Sequence, residues 1–207
     1  MYGGSTAVGA FSIKLARHSN IHPIIAIAGA GGTFVETLID RSRGDTVVDY
    51  RKGDEWVIQA SLDAARAATG SSVVLHGIDA VCEGDSYRTV SKILADGGSI
   101  TVLNPHLKWT DLPANQNMTT TYVGVLNANI MRDPLLREQE KKGLAICRKE
   151  FGLVCSRLFT AGLRDGWLVG HPYEVVPGGL NGVGRGLSAL KDGKASGKKY
   201  IYRVTEV

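Results

Sequence analysis

Cysteine is scarce in this sequence, and its spacing excludes two familiar kinds of small-protein scaffold. The 207 residues contain three cysteines, at positions 82, 147 and 155. An odd number without a Cys-x-x-Cys pair argues against a disulfide framework and against a four-cysteine zinc site. His18 and His22 have helical i, i+4 spacing, but Asn20 and Pro23 predict that the helix ends between them. We therefore expect no metal site.

Long apolar runs are also missing. No stretch of about 18 apolar residues is present to span a bilayer. The first residues lack the charged-then-apolar order of a secretory signal. We expect a soluble, cytoplasmic protein that makes no membrane contact.

Charge of one sign is not in large excess. The formal net charge is +4, and the basic residues are scattered apart from the segment 191–199, which we interpret as a solvated face. Nucleic-acid binding is therefore not expected. The 43% hydrophobic content and 26 glycines instead suit a loop-rich α/β protein with a substantial core.

The most informative segment that is present opens the chain. Gly3 and Gly4 allow a tight turn, Ser5 and Thr6 add hydroxyl groups, and an apolar-periodic helix follows. Such a strand-to-helix turn places free N–H groups where they can bind a dinucleotide pyrophosphate. An apolar strand of about five residues should precede it, yet only Met1 and Tyr2 do. We expect that upstream sequence is missing.

Beyond this turn, predicted strands and helices alternate with the spacing of βαβ units. Expected helices span 7–18, 34–43, 55–68 and 85–94, and expected strands span 23–28, 46–49, 77–82, 99–103 and 119–125. This pattern predicts an α/β fold with a doubly wound parallel sheet of the Rossmann type over residues 1–137.

A tail over residues 138–207 has a different character. It contains predicted helices at 140–162 and 180–190 and predicted strands at 173–176 and 200–204. These strands have no evident partner within the chain. Because an unpaired strand exposes its N–H and C=O groups, we expect their partner in the missing upstream segment.

The end of the second strand bears on which cofactor is bound. NAD-binding folds carry an acidic residue there, which binds the ribose hydroxyls. Here Ala28, Gly29, Ala30 and Gly31 offer no carboxylate. A 2′-phosphate would meet no repulsion, so NADP(H) is favoured over NAD. The nearby hydroxyl and basic candidates are Thr33, Tyr50, Arg51 and Lys52.

Four segments in order carry a resemblance to a known family: GGSTAVG, GDTVVDYRKGDE, VLNP and LSALKDGKASGKKYIYRV. Together they resemble the zinc-independent branch of the medium-chain dehydrogenase/reductase superfamily, and within it the fungal trans-acting enoyl reductases and toxD-like oxidoreductases. Members also possess an N-terminal, GroES-like barrel domain, which this sequence lacks. The resemblance implies that the tail packs on that domain and that the chain is a fragment.

The resemblance also implies positions for the cofactor and the substrate. The cofactor would be contacted by Ser5, Thr6, Ala7, Val8, Ala28, Gly29, Ala30, Gly31, Tyr50, Leu103, Asn104, Ala195 and Ser196. The substrate would be faced by Tyr122, Val123, Gly124, Val125 and Leu126. The loop at 28–31 departs from relatives that carry serine or basic side chains there.

The implied reaction is NADPH-dependent reduction of an activated carbon–carbon double bond, with no metal. The substrate would be a small or carrier-bound enoyl compound, with a polyketide synthase as a partner and a monomeric reductase. Two alternatives stay open: a quinone or alkenal reductase, and a nucleotide-binding remnant without activity. A short-chain reductase is disfavoured because none of the seven tyrosines has a lysine four residues later. No catalytic residue is identified.

Overall fold

The computed structural model describes residues 1–103, 110–121 and 149–204, and these alternate between helices and strands. The helices are α1 (Ala7–His18), α2 (Gly32–Glu36), α3 (Asp54–Thr69), α4 (Ser86–Ile93), α5 (Lys149–Arg164) and α6 (Val183–Lys191). The strands are β1 (Ile25–Ala28), β2 (Thr46–Asp49), β3 (His76–Asp79), β4 (Ser99–Val102), β5 (Asn117–Thr120), β6 (Tyr173–Val175) and β7 (Lys199–Ile201).

The first five strands form parallel ladders on either side of the N-terminus. β1 pairs with β2, and β3, β4 and β5 pair in that order. Tyr2 joins the two groups through parallel bridges to Ile27 in β1 and Asp79 in β3. The spatial order is therefore β2, β1, residues 1–2, β3, β4, β5. With residues 1–2 as first strand this is the Rossmann order, which confirms the predicted fold class.

Met1 and Tyr2 occupy only the carboxyl end of the central strand position. The Met1 amino group donates to the carbonyl of Ile25 over 2.8 Å. Its burial lowers the pKa of this amine from 8.0 to about 6, although the charge of Asp79 acts in the opposite direction. Next to Met1, a cavity of about 80 Å³ lies between β1 and β3, lined by side chains that include Ile25, His76 and Val90.

Both faces of the sheet are covered by helices. On one face, Ala10 and Ile13 of α1 pack on Ala26 and Ala28 of β1. On the other, Ile27 of β1 contacts α3 and α4. Because alternate strand residues point to opposite faces, the small alanines admit α1 closely while Ile27 fills the opposite layer. The core is thus built around β1 and the N-terminal turn.

Several predicted elements are shorter than expected, and hydrogen bonds from side chains explain two of these differences. The expected strand 77–82 ends at Asp79, because the Asp79 carboxylate accepts hydrogen bonds from the backbone N–H groups of Val81 and Cys82 and turns the chain. The expected helix 34–43 ends at Glu36, and a separate 3-10 turn follows at Arg41–Arg43. There the Asp40 side chain accepts from the N–H of Ser42 and restarts the turn.

The expectation that the tail strands lack a partner within the chain is wrong. β6 and β7 pair with each other in parallel, from Tyr173 with Lys199 to Val175 with Ile201. The pairing is possible because α6 supplies the crossover that parallel strands need. A two-stranded pair of three residues each is marginal by itself.

The tail exposes many large apolar side chains. On α5 these are Phe151, Leu153, Val154, Leu158, Phe159 and Leu163. The part of the expected long helix at 140–148 lies outside the described residues, as does the boundary at 137/138. None of the described helices is long and apolar enough to cross a membrane.

Candidate functional site

The turn between the central strand and α1 is shaped by glycines that tolerate no side chain. Gly3 has a φ of 78°, which favours glycine. A Cβ at Gly9 would overlap the carbonyl oxygen of Gly3, so the first turn of α1 packs directly on the glycine turn. Thr6 caps the helix, because its hydroxyl accepts from the N–H of Gly9 and donates to Gly3 O.

The head of α1 leaves backbone donors open. Within the described part of the chain, we find no internal acceptor for the N–H groups of Ser5, Ala7 and Val8. Val8 is 46% exposed and lies beside these donors. Open donors and the positive end of a helix dipole fit a pyrophosphate. These residues therefore suit the cofactor role that the sequence predicts for them.

The loop after β1 lies against the same turn. A Cβ at Gly31 would overlap the Ser5 side chain and come 3.2 Å from Ser196 Oγ. Gly197, which follows Ser196, approaches Phe34 at the start of α2. The structure thus brings together three segments that are far apart in sequence, around Ser5, Gly31 and Ser196.

Tyr50 contacts the same loop at its other end. A Cβ at Gly29 would lie 2.6 Å from the Tyr50 ring, so the ring occupies the space that a side chain at position 29 would fill. Tyr50 also stacks with Tyr2, with ring centroids 6.1 Å apart. Of the predicted loop residues, Ala28, Gly29 and Gly31 are buried and Ala30 is exposed.

Charged side chains flank Tyr50 in the sequence. The Arg51 guanidinium binds both oxygens of the Asp49 carboxylate, over 2.6 to 3.1 Å. Hydrogen bonds from the Arg51 side chain and its backbone N–H hold the pKa of Asp49 at about 2. The Lys52 ammonium instead lies 4.2 Å from the centroid of the Trp56 ring. Asp49 is a carboxylate at this edge that the sequence analysis did not consider.

The other side of the glycine turn is formed by the residues after β3 and β4. Leu103 donates its N–H to the Cys82 thiol over 3.1 Å, which joins the two strand ends. Asn104 and the predicted substrate residues, Tyr122 to Leu126, lie outside the described residues. Their roles stay predictions, as does that of Ala195, which is partly buried beside Ser196.

Asp79 is a second carboxylate that the sequence analysis missed. It is fully buried at the end of β3 and accepts from Ser86 Oγ over 2.5 Å as well as from the N–H groups of Val81 and Cys82. Val81 in turn lies against Gly3, where an added Cβ would come within 2.6 Å of it. Aspartate side chains often accept hydrogen bonds from backbone N–H groups two or three residues later and so start a turn. An aspartate at the end of an apolar strand was therefore the sequence signal that could have predicted this turn.

The two histidines with helical spacing have structural roles instead. The His22 ring binds the buried carboxylate of Asp45 over 2.8 Å. The His18 ring stacks on Trp167, with centroids 3.7 Å apart. The Trp167 contact attaches the segment after α5 to the surface of α1.

Comparison with known proteins finds that this chain is similar to reductases. The trans-enoyl reductase fsr4 of Gibberella fujikuroi is 37% identical over 183 residues, which is 88% of this chain and 48% of that protein. This chain is a relative of the fungal trans-enoyl reductases. A second relative, the enoyl reductase component lovC of lovastatin nonaketide synthase from Aspergillus terreus, is 26% identical over 212 residues, 99% of the chain and 53% of that protein.

Solved structures of reductases and dehydrogenases share the fold of this chain. The JamJ enoyl reductase superposes with a TM-score of 0.60 at 13% identity, over 97% of this chain and 54% of that one. An alcohol dehydrogenase from Aeropyrum pernix gives 0.61 at 16% identity, over 93% and 46%. No protein-family model matches the sequence. The chain spans about half the length of the curated relatives it matches.

Proposed function

We propose that this chain is the cofactor-binding half of an NADPH-dependent reductase that acts on the activated double bond of an enoyl thioester. The observation that carries the proposal is the meeting of the glycine turn, the 28–31 loop and Ser196 at the carboxyl ends of the strands. Ligands of open α/β sheets bind at this edge, where the strand order reverses. The most similar of the relatives described above is named as a trans-enoyl reductase.

Different residues at this edge would contact different parts of the dinucleotide. The open N–H groups of Ser5, Ala7 and Val8 would bind the pyrophosphate. The loop around Gly29 and the Tyr50 ring would hold the adenosine, and its lack of a carboxylate favours a 2′-phosphate. We propose that Leu103 and Asn104 lie on the nicotinamide side.

When bound, the reduced nicotinamide supplies a hydride for the β-carbon of the enoyl group, and a proton is added at the α-carbon. The chain's own contribution is orientation and exclusion of water. We propose Tyr122 to Leu126 as substrate-facing residues, and a carrier-bound acyl chain on a polyketide synthase as substrate and partner. The described residues suggest no proton donor.

The test is oxidation of NADPH by the polypeptide 1–207 in the presence of a crotonyl thioester, with a quinone and an alkenal as comparison substrates. Consumption that requires the thioester supports the proposal. Faster consumption with the quinone or the alkenal would replace it with the corresponding reductase. Tight NADPH binding without turnover of any substrate would indicate a nucleotide-binding domain whose reaction needs further protein.

A further inference from the structure

The Asp49 carboxylate lies at the edge where the adenosine 2′-phosphate would bind. Asp49 is the residue of β2 that pairs in register with Ala28, the last residue of β1. The next residue, Tyr50, contacts Gly29. Although the loop at 28–31 contains no carboxylate, the neighbouring strand β2 therefore places one beside it. This carboxylate belongs to the residue just before Tyr50, whose ring covers Gly29.

That carboxylate forms an ion pair with Arg51. Arg51 donates Nε and Nη2 hydrogen bonds to both oxygens of Asp49 and also donates its backbone N–H to Oδ1 over 3.0 Å. A bidentate arginine–carboxylate pair is geometrically specific. Arg51 is thus occupied, whereas the next cation, Lys52, rests on the Trp56 ring.

We propose that Asp49 is a specificity-determining residue, which limits the preference for NADPH over NADH by holding Arg51 away from the 2′-phosphate. The inference rests on the proposed function. When the pair is formed, Asp49 and Arg51 together carry no net charge. Lys52, two residues from Tyr50, has no carboxylate partner among the described residues. Loss of the Asp49 charge frees Arg51 for the phosphate, and loss of Arg51 exposes a carboxylate that repels the phosphate.

The two single variants should change NADPH affinity in opposite directions. Asp49→Asn keeps the Oδ1 acceptor for the Arg51 N–H, so the turn is retained. Arg51→Gln keeps the same backbone bond. At the partly screened separations of this surface, one unit charge is worth roughly five- to tenfold in affinity for a charged ligand. NADH lacks the 2′-phosphate and should respond by less than about twofold.

The experiment is a fluorescence titration of polypeptide 1–207 and its variants with NADPH and with NADH. We expect Asp49→Asn to raise the affinity for NADPH roughly five- to tenfold and Arg51→Gln to lower it by a similar factor. The double variant should have an affinity near that of the unaltered polypeptide. Arg164→Gln, which breaks an exposed ion pair with Asp165 in the tail, is the matched control and should change neither affinity.

The outcomes separate this inference from the proposed function. Preference for NADPH that none of the Asp49 and Arg51 variants alters beyond twofold would overturn the inference and leave the proposed function standing. Equal changes for NADPH and NADH would also overturn it, because they would reflect a disturbed turn rather than a charge effect. Failure of the unaltered polypeptide to bind either nucleotide would overturn both.

Discussion

Neutralising the Met1 amino group by acetylation should stabilise polypeptide 1–207, and more strongly at low pH. In the fold this amine lies between β1 and β3 and donates to the Ile25 carbonyl. A neutral acetyl-amide N–H can make the same hydrogen bond without bringing a charge into the sheet. The acetyl group would also occupy part of the cavity of about 80 Å³ beside Met1. We therefore expect the sheet to accommodate the acetyl group without displacing neighbouring side chains.

The size and pH range of the effect follow from the pKa of the amine. Burial lowers this pKa from 8.0 to about 6, so between these values the unfolded chain binds a proton that the folded chain does not. Stability of the free-amine polypeptide is therefore lost as the pH falls from 8 to 6, and the loss is constant below 6. The full loss is about 3 kcal/mol, and about half of it is present at pH 7.

The assay is urea unfolding of the free and acetylated polypeptides at several pH values between 5.5 and 8.5. The difference between their unfolding free energies isolates the amine, because every histidine is common to both. We expect a difference of about 3 kcal/mol at pH 5.5 that shrinks toward zero by pH 8.5. A difference independent of pH would refute the claim that the charged amine is buried in the sheet.

Three further variants test the glycine turn and its support. Val8→Asp should abolish NADPH binding by placing a carboxylate beside the open N–H groups of α1, while leaving the thermal midpoint unchanged or higher, since an acidic residue favours a helix N-terminus. Gly9→Ala should cost about 3 kcal/mol in urea unfolding, because its Cβ overlaps Gly3 O. Asp79→Ala should cost at least about 3 kcal/mol, because Ser86 Oγ and two backbone N–H groups lose their acceptor.

Each of these variants has a matched control. Val8→Asn has similar shape without the charge and should retain most NADPH affinity. Gly184→Ala lies in α6, where an added Cβ meets no atom within 4 Å, and should not destabilise the fold; a cost equal to that of Gly9→Ala would show that overlap is not the cause. Asp165→Ala removes an exposed carboxylate and should be nearly neutral; a similar result for Asp79→Ala would contradict its supporting role.

The sequence predicted most helices and strands of the sheet because their patterns are local. Helix α1 spans the expected residues 7–18, and β2 spans the expected residues 46–49. The end of β3 was missed because a side chain, that of Asp79, competes with the strand's own hydrogen bonds. The pairing of β6 with β7 was missed because it depends on how α6 packs, which no local pattern specifies.

Part of the candidate site could likewise be predicted from the sequence, and part could not. The glycine turn and the 28–31 loop were recognisable because backbone conformation limits their composition. The closeness of Ser196 to Gly31 and Ser5 came from the resemblance and not from residue spacing, since Ser196 is more than 150 residues from both. Arg51 was a basic candidate from the sequence, but its pairing with Asp49 was not predicted, because it depends on the turn after β2 that brings the two side chains together.

Titration of polypeptide 1–207 with NADPH and, separately, with NADH would show directly whether the glycine turn and the loop at 28–31 bind a nicotinamide cofactor. We expect saturable NADPH binding with enhanced nucleotide fluorescence, weaker NADH binding, and loss of both in Val8→Asp. Binding of neither nucleotide by a folded polypeptide would contradict it. A preference for NADH would contradict the assignment of the loop at 28–31 to a 2′-phosphate.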